Sequence, residues 1–344
     1  MKLMERNCLM TILATIFICF SCNSEQIEIL HNKEFCEIQQ MALNKNENFC
    51  IVLMDTANLT SKIYKERLEK SNIETVFNIV DIKLPKNNWY GQWLYSNSDP
   101  ITCIFTSSGI LIDIIPGASH KCFNCIKQVV NTGKMCLELE YYNNFSMAKE
   151  RIIPLLKDVL ECKFALEHNL NIESQINNLV DSIDYPYAVY LKMMNFIKHN
   201  KPEMAQLTAK QLLAFDQDLE LEIYPEFFIV ANGIINPYYD PTTSPVLECE
   251  TLIELKDCEK GVAKPFKIKI FNSGNTPLEI QEIQLSCSCV ELKGNETYTI
   301  LPKESQYVYF EFTADNDEKV EREIFLKSNS TYPIHKIRVV ANSS

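Results

Sequence analysis

The segment Pro265-Phe-Lys-Ile-Lys-Ile-Phe271 places Phe266, Ile268 and Ile270 at every second position. A period of two predicts a strand with one buried face. A turn at 272–277 follows, and further strands are predicted at 252–255, 278–285, 306–313, 322–328 and 334–340. Residues 250–344 therefore hold six or seven strands in about 95 residues, which is typical of an immunoglobulin-like β-sandwich.

This region also carries a set of short motifs: Phe271-Asn-Ser-Gly274, Pro277-Leu-Glu-Ile280, Ser286-Cys-Ser-Cys289, Leu301-Pro302 and Lys327-Ser-Asn329. Together they resemble a bacterial family, the domain of unknown function 1573. Ser288 stands where the family usually has Gly between its two Cys. The resemblance implies an immunoglobulin-like fold and a bacterial source, but no activity, because none is established for the family.

Cys287 and Cys289 are the candidate reactive residues of this region. On a regular strand their Cα atoms would be about 6.6 Å apart, near the limit for a disulfide. Paired or unpaired structural Cys is one interpretation, and soft-metal binding or redox sensing is the other. Cys249 and Cys258 are alternative partners for a disulfide between neighbouring strands.

Residues 236–245 contain three Pro, which predicts a linker over 237–249. Before it, apolar residues recur three and four apart in segments 147–163, 172–183, 187–200 and 202–215. This spacing predicts that 143–236 is a helical spacer. Pro154 is expected to kink or interrupt the first helix.

Residues 22–142 are predicted to be an α/β domain. The continuous apolar run Phe49–Met54 is typical of a strand buried on both faces. Strands and helices are predicted in the order β-α-β-α-β-β-α, at 49–54, 61–71, 75–82, 87–96, 100–105, 110–115 and 119–130. The whole chain is thus predicted to be multidomain, with α/β, α and all-β parts.

The segment Asp99-Pro-Ile-Thr-Cys-Ile-Phe-Thr-Ser-Ser-Gly109, followed by an apolar strand and Gly117, resembles the thioredoxin fold. The resemblance implies that Pro100 follows a cis bond, which is rare and needs tertiary support. A trans Pro that opens an edge strand is the alternative. It also implies that Pro100 faces the place where thioredoxins carry their reactive thiols.

At that place the chain has Asp55-Thr-Ala-Asn-Leu-Thr-Ser61, without Cys. Disulfide exchange requires an attacking thiolate, so this domain is expected to be redox-inactive. Asn58 and Thr60 are expected to occupy the space of the missing thiols and to cap the following helix. A shallow surface for an extended peptide would remain beside Pro100.

A Cys-x-x-Cys does occur at Cys122-Phe-Asn-Cys125, two residues after His120. It lies at the start of the last predicted helix, and the spacing puts both sulfurs on one helical face. Unpaired Cys, a reversible disulfide, and a zinc site that includes His120 are the three alternatives. A single Cys-x-x-Cys without a second ligand pair is a weak zinc signal.

The N-terminus is predicted to be a lipoprotein signal peptide over 1–21. The apolar run from Cys8 to Phe20 is thirteen residues long, too short to span a membrane comfortably. Ser21-Cys22 resembles the bacterial lipoprotein cleavage box, although Cys19 and Phe20 are imperfect members of it. The resemblance implies a lipid on Cys22 and a Bacteroidota-like lipoprotein of the cell envelope. An ordinary signal peptide that is cut nearby is the alternative. Of 14 Cys, eleven follow Cys22, an odd number that cannot pair fully within one chain.

Composition restricts the function further. Asp and Glu outnumber Lys and Arg by 45 to 33, which argues against nucleic acid as a partner. The chain has five His and none of the common phosphate-loop or hydrolase motifs. The sequence therefore predicts a non-catalytic envelope lipoprotein that needs no cofactor and binds a protein or peptide. The alternatives are a thiol-disulfide enzyme using Cys122 and Cys125, or a metal-binding protein using Cys287 and Cys289.

Overall fold

The structure is a computed structural model that describes residues 27–314 and 319–342. The predicted signal peptide and Cys22 lie outside these residues. The chain divides into two compact units. The first unit contains residues up to Asn87 together with Asp99–Tyr141, and the second contains Asn88–Ser98 and everything from Tyr142 onward.

The first unit is an α/β domain. Its strands are β1 (Glu28–His31), β2 (Phe49–Met54), β3 (Val76–Asp81), β4 (Ile101–Phe105) and β5 (Leu111–Pro116). The helices up to residue 132 are α1 (Phe35–Lys45), α2 (Leu59–Glu69), α3 (Asn88–Leu94) and α4 (His120–Thr132), of which α3 belongs to the second unit. The sheet order is β1-β3-β2-β4-β5.

Strand β2 lies at the centre of this sheet, and all six of its residues are buried, as its apolar sequence predicts. It pairs with β3 in parallel and with β4 in antiparallel orientation. Strand β1 and helix α1 are not among the elements that the sequence predicts. Strand β1 has only four residues and pairs with β3 at the sheet edge, so its own residues show too little of a pattern.

The second unit begins with a helical part. Its further helices are α5 (Lys149–Glu167), α6 (Glu173–Ser182), α7 (Pro186–Lys198), α8 (Pro202–Leu212), α9 (Asp218–Ile223) and α10 (Pro225–Ile235). Pro154 lies within α5, which continues through it, so the helix is not interrupted as the sequence suggested. Helices α5 to α8 lie where the apolar spacing of the sequence predicts them, whereas α9 and α10 are not predicted.

Helix α3 contacts the other helices of the helical part through two of its backbone carbonyls and through the Trp93 side chain. The Trp93 side chain is fully buried, and its Nε1 donates to the Leu156 carbonyl at 2.8 Å. The Tyr224 hydroxyl donates to the Gln92 carbonyl at 2.9 Å, and the Tyr185 hydroxyl donates to the Trp93 carbonyl. These contacts explain why residues 88–98 leave the contiguous 22–142 domain that the sequence predicted.

The C-terminal part of the second unit is a two-sheet sandwich. Its strands are β6 (Leu247–Cys249), β7 (Leu252–Leu255), β8 (Ala263–Asn272), β9 (Leu278–Leu285), β10 (Val290–Lys293), β11 (Tyr298–Ile300), β12 (Ser305–Thr313), β13 (Val320–Ser328) and β14 (Ile334–Ala341). One sheet has the order β10-β12-β8-β6 and the other β11-β9-β13-β14-β7. Alternate residues of both sheets, such as Ile268 and Ile324, form one buried core.

The end of the predicted linker 237–249 belongs to the sandwich. Residues 247–249 form β6, which pairs with β8. Just before it, the backbone crosses Gly274 so closely that a Cβ there would lie 2.4 Å from the Ser244 carbonyl oxygen. Ser273 N also donates to the Val246 carbonyl at 3.0 Å. The linker ends near residue 243, since the following residues pack on the sandwich.

Among the residues that the structure describes, no helix combines the length and the apolar character needed to cross a bilayer.

Candidate functional site

The first candidate site lies where β2 ends and β4 begins. These strands are antiparallel neighbours with Leu53 opposite Ile101, so the loop after β2 and the residues before β4 meet at the same sheet edge. The Asp99–Pro100 peptide bond at this edge is cis, which confirms the expectation for Pro100. Pro100 itself is buried.

Asp99 joins the two segments. Its Oδ2 accepts hydrogen bonds from Asp55 N at 2.8 Å, from Asn58 Nδ2 at 2.6 Å and from Ser61 Oγ at 3.2 Å. We call Asp99, Asp55, Asn58 and Ser61 the Asp99 cluster. Hydrogen bonds to a charged acceptor are stronger than neutral ones, so the cluster holds the loop after β2 against the residue that precedes Pro100.

Asn58 has two roles in the Asp99 cluster. It is the N-cap of α2, and its Oδ1 accepts from Ser61 N at 2.7 Å. Thr60, by contrast, is an exposed residue inside the first turn of α2, so the expectation that Thr60 also caps the helix is wrong. A single side-chain oxygen at the N-cap position accepts from the N2 or N3 amide, and Asn58 fills that position.

Gly117 lies on the other side of Pro100. Its N donates to the Pro100 carbonyl at 2.8 Å, and its φ of +87° is one that favours glycine. Behind this turn, Cys122 Sγ donates to the Pro116 carbonyl at 3.1 Å and lies 3.0 Å from Ser119 Oγ. The Cys122 side chain is only 5% exposed, so the turn covers this thiol.

The Cys-x-x-Cys sulfurs have different partners. Cys125 Sγ accepts from Cys136 Sγ at 2.8 Å, and both of these residues are almost fully buried. His120 is exposed at the start of α4. The structure thus brings Cys125 to Cys136, which the sequence analysis did not consider.

Two further thiols of the first unit, Cys50 and Cys103, are buried and poorly suited to reaction. Burial, and then the neighbouring Cys103, raises the pKa of the Cys50 thiol well above its usual value. Burial, and then Asp113, raises the pKa of Cys103 as well. The thiolate is the nucleophilic form, so these two residues stay protonated at neutral pH.

Near the Asp99 cluster, α2 exposes two apolar side chains. Leu59 directly follows Asn58 and is 39% exposed, and Ile63 is 38% exposed. Residues four apart lie on the same side of a helix, so Leu59 and Ile63 form one apolar strip beside the loop after β2.

The second candidate site is in the sandwich. Cys287 and Cys289 form a disulfide, with Cα atoms 5.3 Å apart. They lie in the turn between β9 and β10 and not on a regular strand, which explains why they are closer than the extended geometry predicts. Arg322 Nε lies 3.2 Å from Cys289 Sγ. With both sulfurs in an S–S bond, neither is available as a metal ligand.

Cys249 and Cys258 are not joined to each other. Both are thiols; Cys249 is half-buried on β6, and Cys258 Sγ is 3.7 Å from the Leu255 carbonyl. The alternative pairing of these two residues is therefore wrong. No group of three or more His, Cys, Asp or Glu side chains within residues 27–314 and 319–342 is arranged to hold a metal ion.

The sandwich matches a known protein family. Residues 248–343 match the family described as Protein of unknown function, DUF1573. This match confirms the domain that the sequence predicts at 250–344 and begins within β6. The match covers well under half of the chain. A comparison with curated proteins gave no significant match.

Solved structures resemble part of the chain in fold. A protein of unknown function from Porphyromonas gingivalis W83 is 20% identical with a TM-score of 0.28, over 31% of this chain and 50% of that one. PapD-like domain 7 of human CEP192 is 10% identical with a TM-score of 0.26, over 31% and 89%. The YadV chaperone is 15% identical with a TM-score of 0.23, over 29% and 52%. The chain thus spans about half the length of the first of these structures.

Proposed function

We propose that this protein is a non-catalytic lipoprotein of the bacterial cell envelope that binds extended polypeptide. In this proposal the first unit is a thioredoxin-like domain without thiol chemistry, and Cys22 carries the lipid that holds the chain at the membrane. The polypeptide lies along the strip of Leu59 and Ile63 beside Pro100.

Two observations support a thioredoxin-like first unit. The sheet order β1-β3-β2-β4-β5, with β4 antiparallel to both β2 and β5, agrees with the resemblance of residues 99–109. The cis bond before Pro100 stands at the start of β4, opposite the loop after β2.

The Asp99 cluster is the observation that carries the proposal of a non-catalytic role. The loop after β2 contains no sulfur, and its polar groups Asp55 N, Asn58 Nδ2 and Ser61 Oγ bind Asp99. A helix N-terminus can lower the pKa of a thiol and activate it, but here Asn58 caps that N-terminus. The loop is therefore ordered by hydrogen bonds and offers no thiol nucleophile.

The apolar strip supplies the binding energy in this proposal. Leu59 and Ile63 are exposed beside an ordered loop, and removing apolar surface from water contributes about 25 cal/mol per Å². An extended segment with apolar side chains can cover both residues. The net charge of −12 argues for polypeptide over nucleic acid as the ligand.

The test measures binding of a fluorescent, carboxymethylated, permanently unfolded polypeptide to the mature chain. Leu59→Glu places a charge in the strip and is expected to weaken binding about fivefold or more, since about 1 kcal/mol of apolar contact is lost. Leu43→Glu is the matched control, because Leu43 is 51% exposed on α1 and lies outside the strip. Equal effects of both variants would contradict the proposed binding surface.

A second measurement addresses the enzymatic alternative. The protein is expected to give no reduction of insulin disulfides in the presence of dithiothreitol above the uncatalysed rate. Turnover that is lost in Cys122→Ser would instead identify a thiol-disulfide enzyme. The burial of Cys122 and Cys125, and their separate hydrogen-bond partners, favour the first outcome.

A further inference from the structure

Cys125 and Cys136 are brought together by a chain reversal after α4. Helix α4 ends at Thr132, Gly133 follows in the left-handed conformation, and the chain turns back toward Cys125. The Cys136 Sγ donates to the Cys125 Sγ over 2.8 Å. This distance is only about 0.8 Å longer than a disulfide bond.

The segment after α4 is fixed at the same point by its backbone. Cys136 N donates to Asp113 Oδ2 at 2.8 Å, and the Asp113 side chain is fully buried on β5. Cys125, Cys136 and their neighbours Ile126 and Val129 belong to one buried apolar cluster. The two sulfurs are therefore held in place from both sides, by α4 and by β5.

We propose that Cys125 and Cys136 form a disulfide in the exported protein and that this bond clips residues 133–141 to α4. Cys122 is not the partner of Cys125, because the Cys122 sulfur donates to the Pro116 carbonyl and lies 3.0 Å from Ser119 Oγ, whereas the Cys125 sulfur contacts Cys136. The inference concerns a modification of the first unit and is independent of polypeptide binding.

The reaction is a thiol-disulfide exchange with a small disulfide donor such as oxidised glutathione. A Cys thiolate attacks the donor, one glutathione thiolate leaves, and a mixed disulfide forms. The second Cys thiolate then attacks the protein sulfur of this bond and expels the second glutathione. One S–S bond forms and one breaks; the two Cys are oxidised by two electrons, and the two glutathione thiolates take up the two protons. Because both sulfurs are buried in the folded chain, the exchange takes place while the chain folds.

The experiment refolds the reduced, denatured mature chain in a mixture of reduced and oxidised glutathione. Remaining thiols are then alkylated and the protein is cleaved with trypsin, which cuts after Lys121, Lys127, Lys134 and Lys149. The proposal predicts a cross-linked pair of peptides, 122–127 with 135–149, in most molecules. The cross-link should persist in Cys122→Ser and disappear in Cys125→Ser.

Two results would overturn the proposal. Peptide 122–127 with an internal Cys122–Cys125 disulfide would show the other pairing, and full alkylation of Cys125 and Cys136 after refolding would show none. Thermal unfolding provides a second measurement. Dithiothreitol should lower the midpoint by about 5 °C or more in the native sequence, and by clearly less in the variant with both Cys125→Ala and Cys136→Ala. That variant retains the Cys287–Cys289 disulfide, so it corrects for the reduction of that bond.

Discussion

Asp99→Ala removes the acceptor at the centre of the Asp99 cluster. One carboxylate oxygen then no longer accepts from Asp55 N, Asn58 Nδ2 and Ser61 Oγ. A hydrogen bond to a charged group contributes about 1.5–3 kcal/mol. Asp99 is half-buried, so water replaces part of the lost interaction, and we expect the first unit to lose about 2–4 kcal/mol of unfolding free energy.

Urea unfolding followed by far-UV circular dichroism measures this loss, and amide hydrogen exchange at Asp55 and Ser61 localises it. Trp89 and Trp93, which are the two Trp of the chain, both lie in the second unit. Tryptophan fluorescence therefore reports the second unit, and its midpoint should shift less than the circular dichroism signal. This difference separates a local effect from a global one.

Two further variants control the interpretation. Glu66→Ala changes an exposed carboxylate of α2 and should alter stability by less than about 0.5 kcal/mol. Asn58→Ala loses the helix cap and its bond to Asp99, at about 1–2 kcal/mol. Asp99→Ala and Asn58→Ala both remove the hydrogen bond between Asn58 and Asp99. The double variant Asp99→Ala/Asn58→Ala should therefore be less destabilised than the sum of the two single variants, by about 1 kcal/mol. Additive effects, or an Asp99→Ala loss below about 0.5 kcal/mol, would refute the reasoning.

Three other predictions follow from single residues. Gly274→Ala should destabilise the second unit by about 2 kcal/mol in calorimetry, because the new Cβ meets the Ser244 backbone. Gly233→Ala is the control, because a Cβ at Gly233 on α10 meets open space, and it should stabilise the second unit by up to about 1 kcal/mol. Burial lowers the pKa of His335 below its ordinary value of 6.5. The unfolded chain therefore binds a proton first as the pH falls below about 6.5, and stability decreases there. His335→Gln should flatten this pH dependence in urea titrations. Cys22→Ser should abolish incorporation of labelled fatty acid and release the protein from the membrane fraction, and retention of the label would contradict the lipoprotein assignment.

Strong local patterns in the sequence were sufficient for the longer elements. The apolar run of β2 and the alternation in β8 identified these strands. A strand that is buried on both faces has consecutive apolar residues, and a strand that is buried on one face has an apolar residue at every second position. Strands β6, β10 and β11 have three or four residues and were missed. Three or four residues hold at most two alternations, and each of these strands pairs with a longer neighbouring strand.

Contacts between distant residues depended on the tertiary structure. The assignment of residues 88–98 to the second unit rests on Trp93 and on hydrogen bonds to Leu156, Tyr185 and Tyr224, which are all far away along the chain. The end of the linker also packs on a distant residue, Gly274. This close approach of two backbone segments cannot be predicted from the sequence of either segment alone.

The sequence by itself determined the absence of Cys from the loop after β2, the candidate lipid site at Cys22 and the DUF1573 domain. It also indicated Asn58 as a cap, because capping is a local interaction between a side chain and the next turn. Only the tertiary structure decided that Asp99 binds this loop, that Thr60 does not cap α2 and that Cys125 lies against Cys136. The physical reason is that hydrogen bonds and sulfur contacts act over about 3 Å, and chain reversals that no local pattern specifies bring their partners within that range.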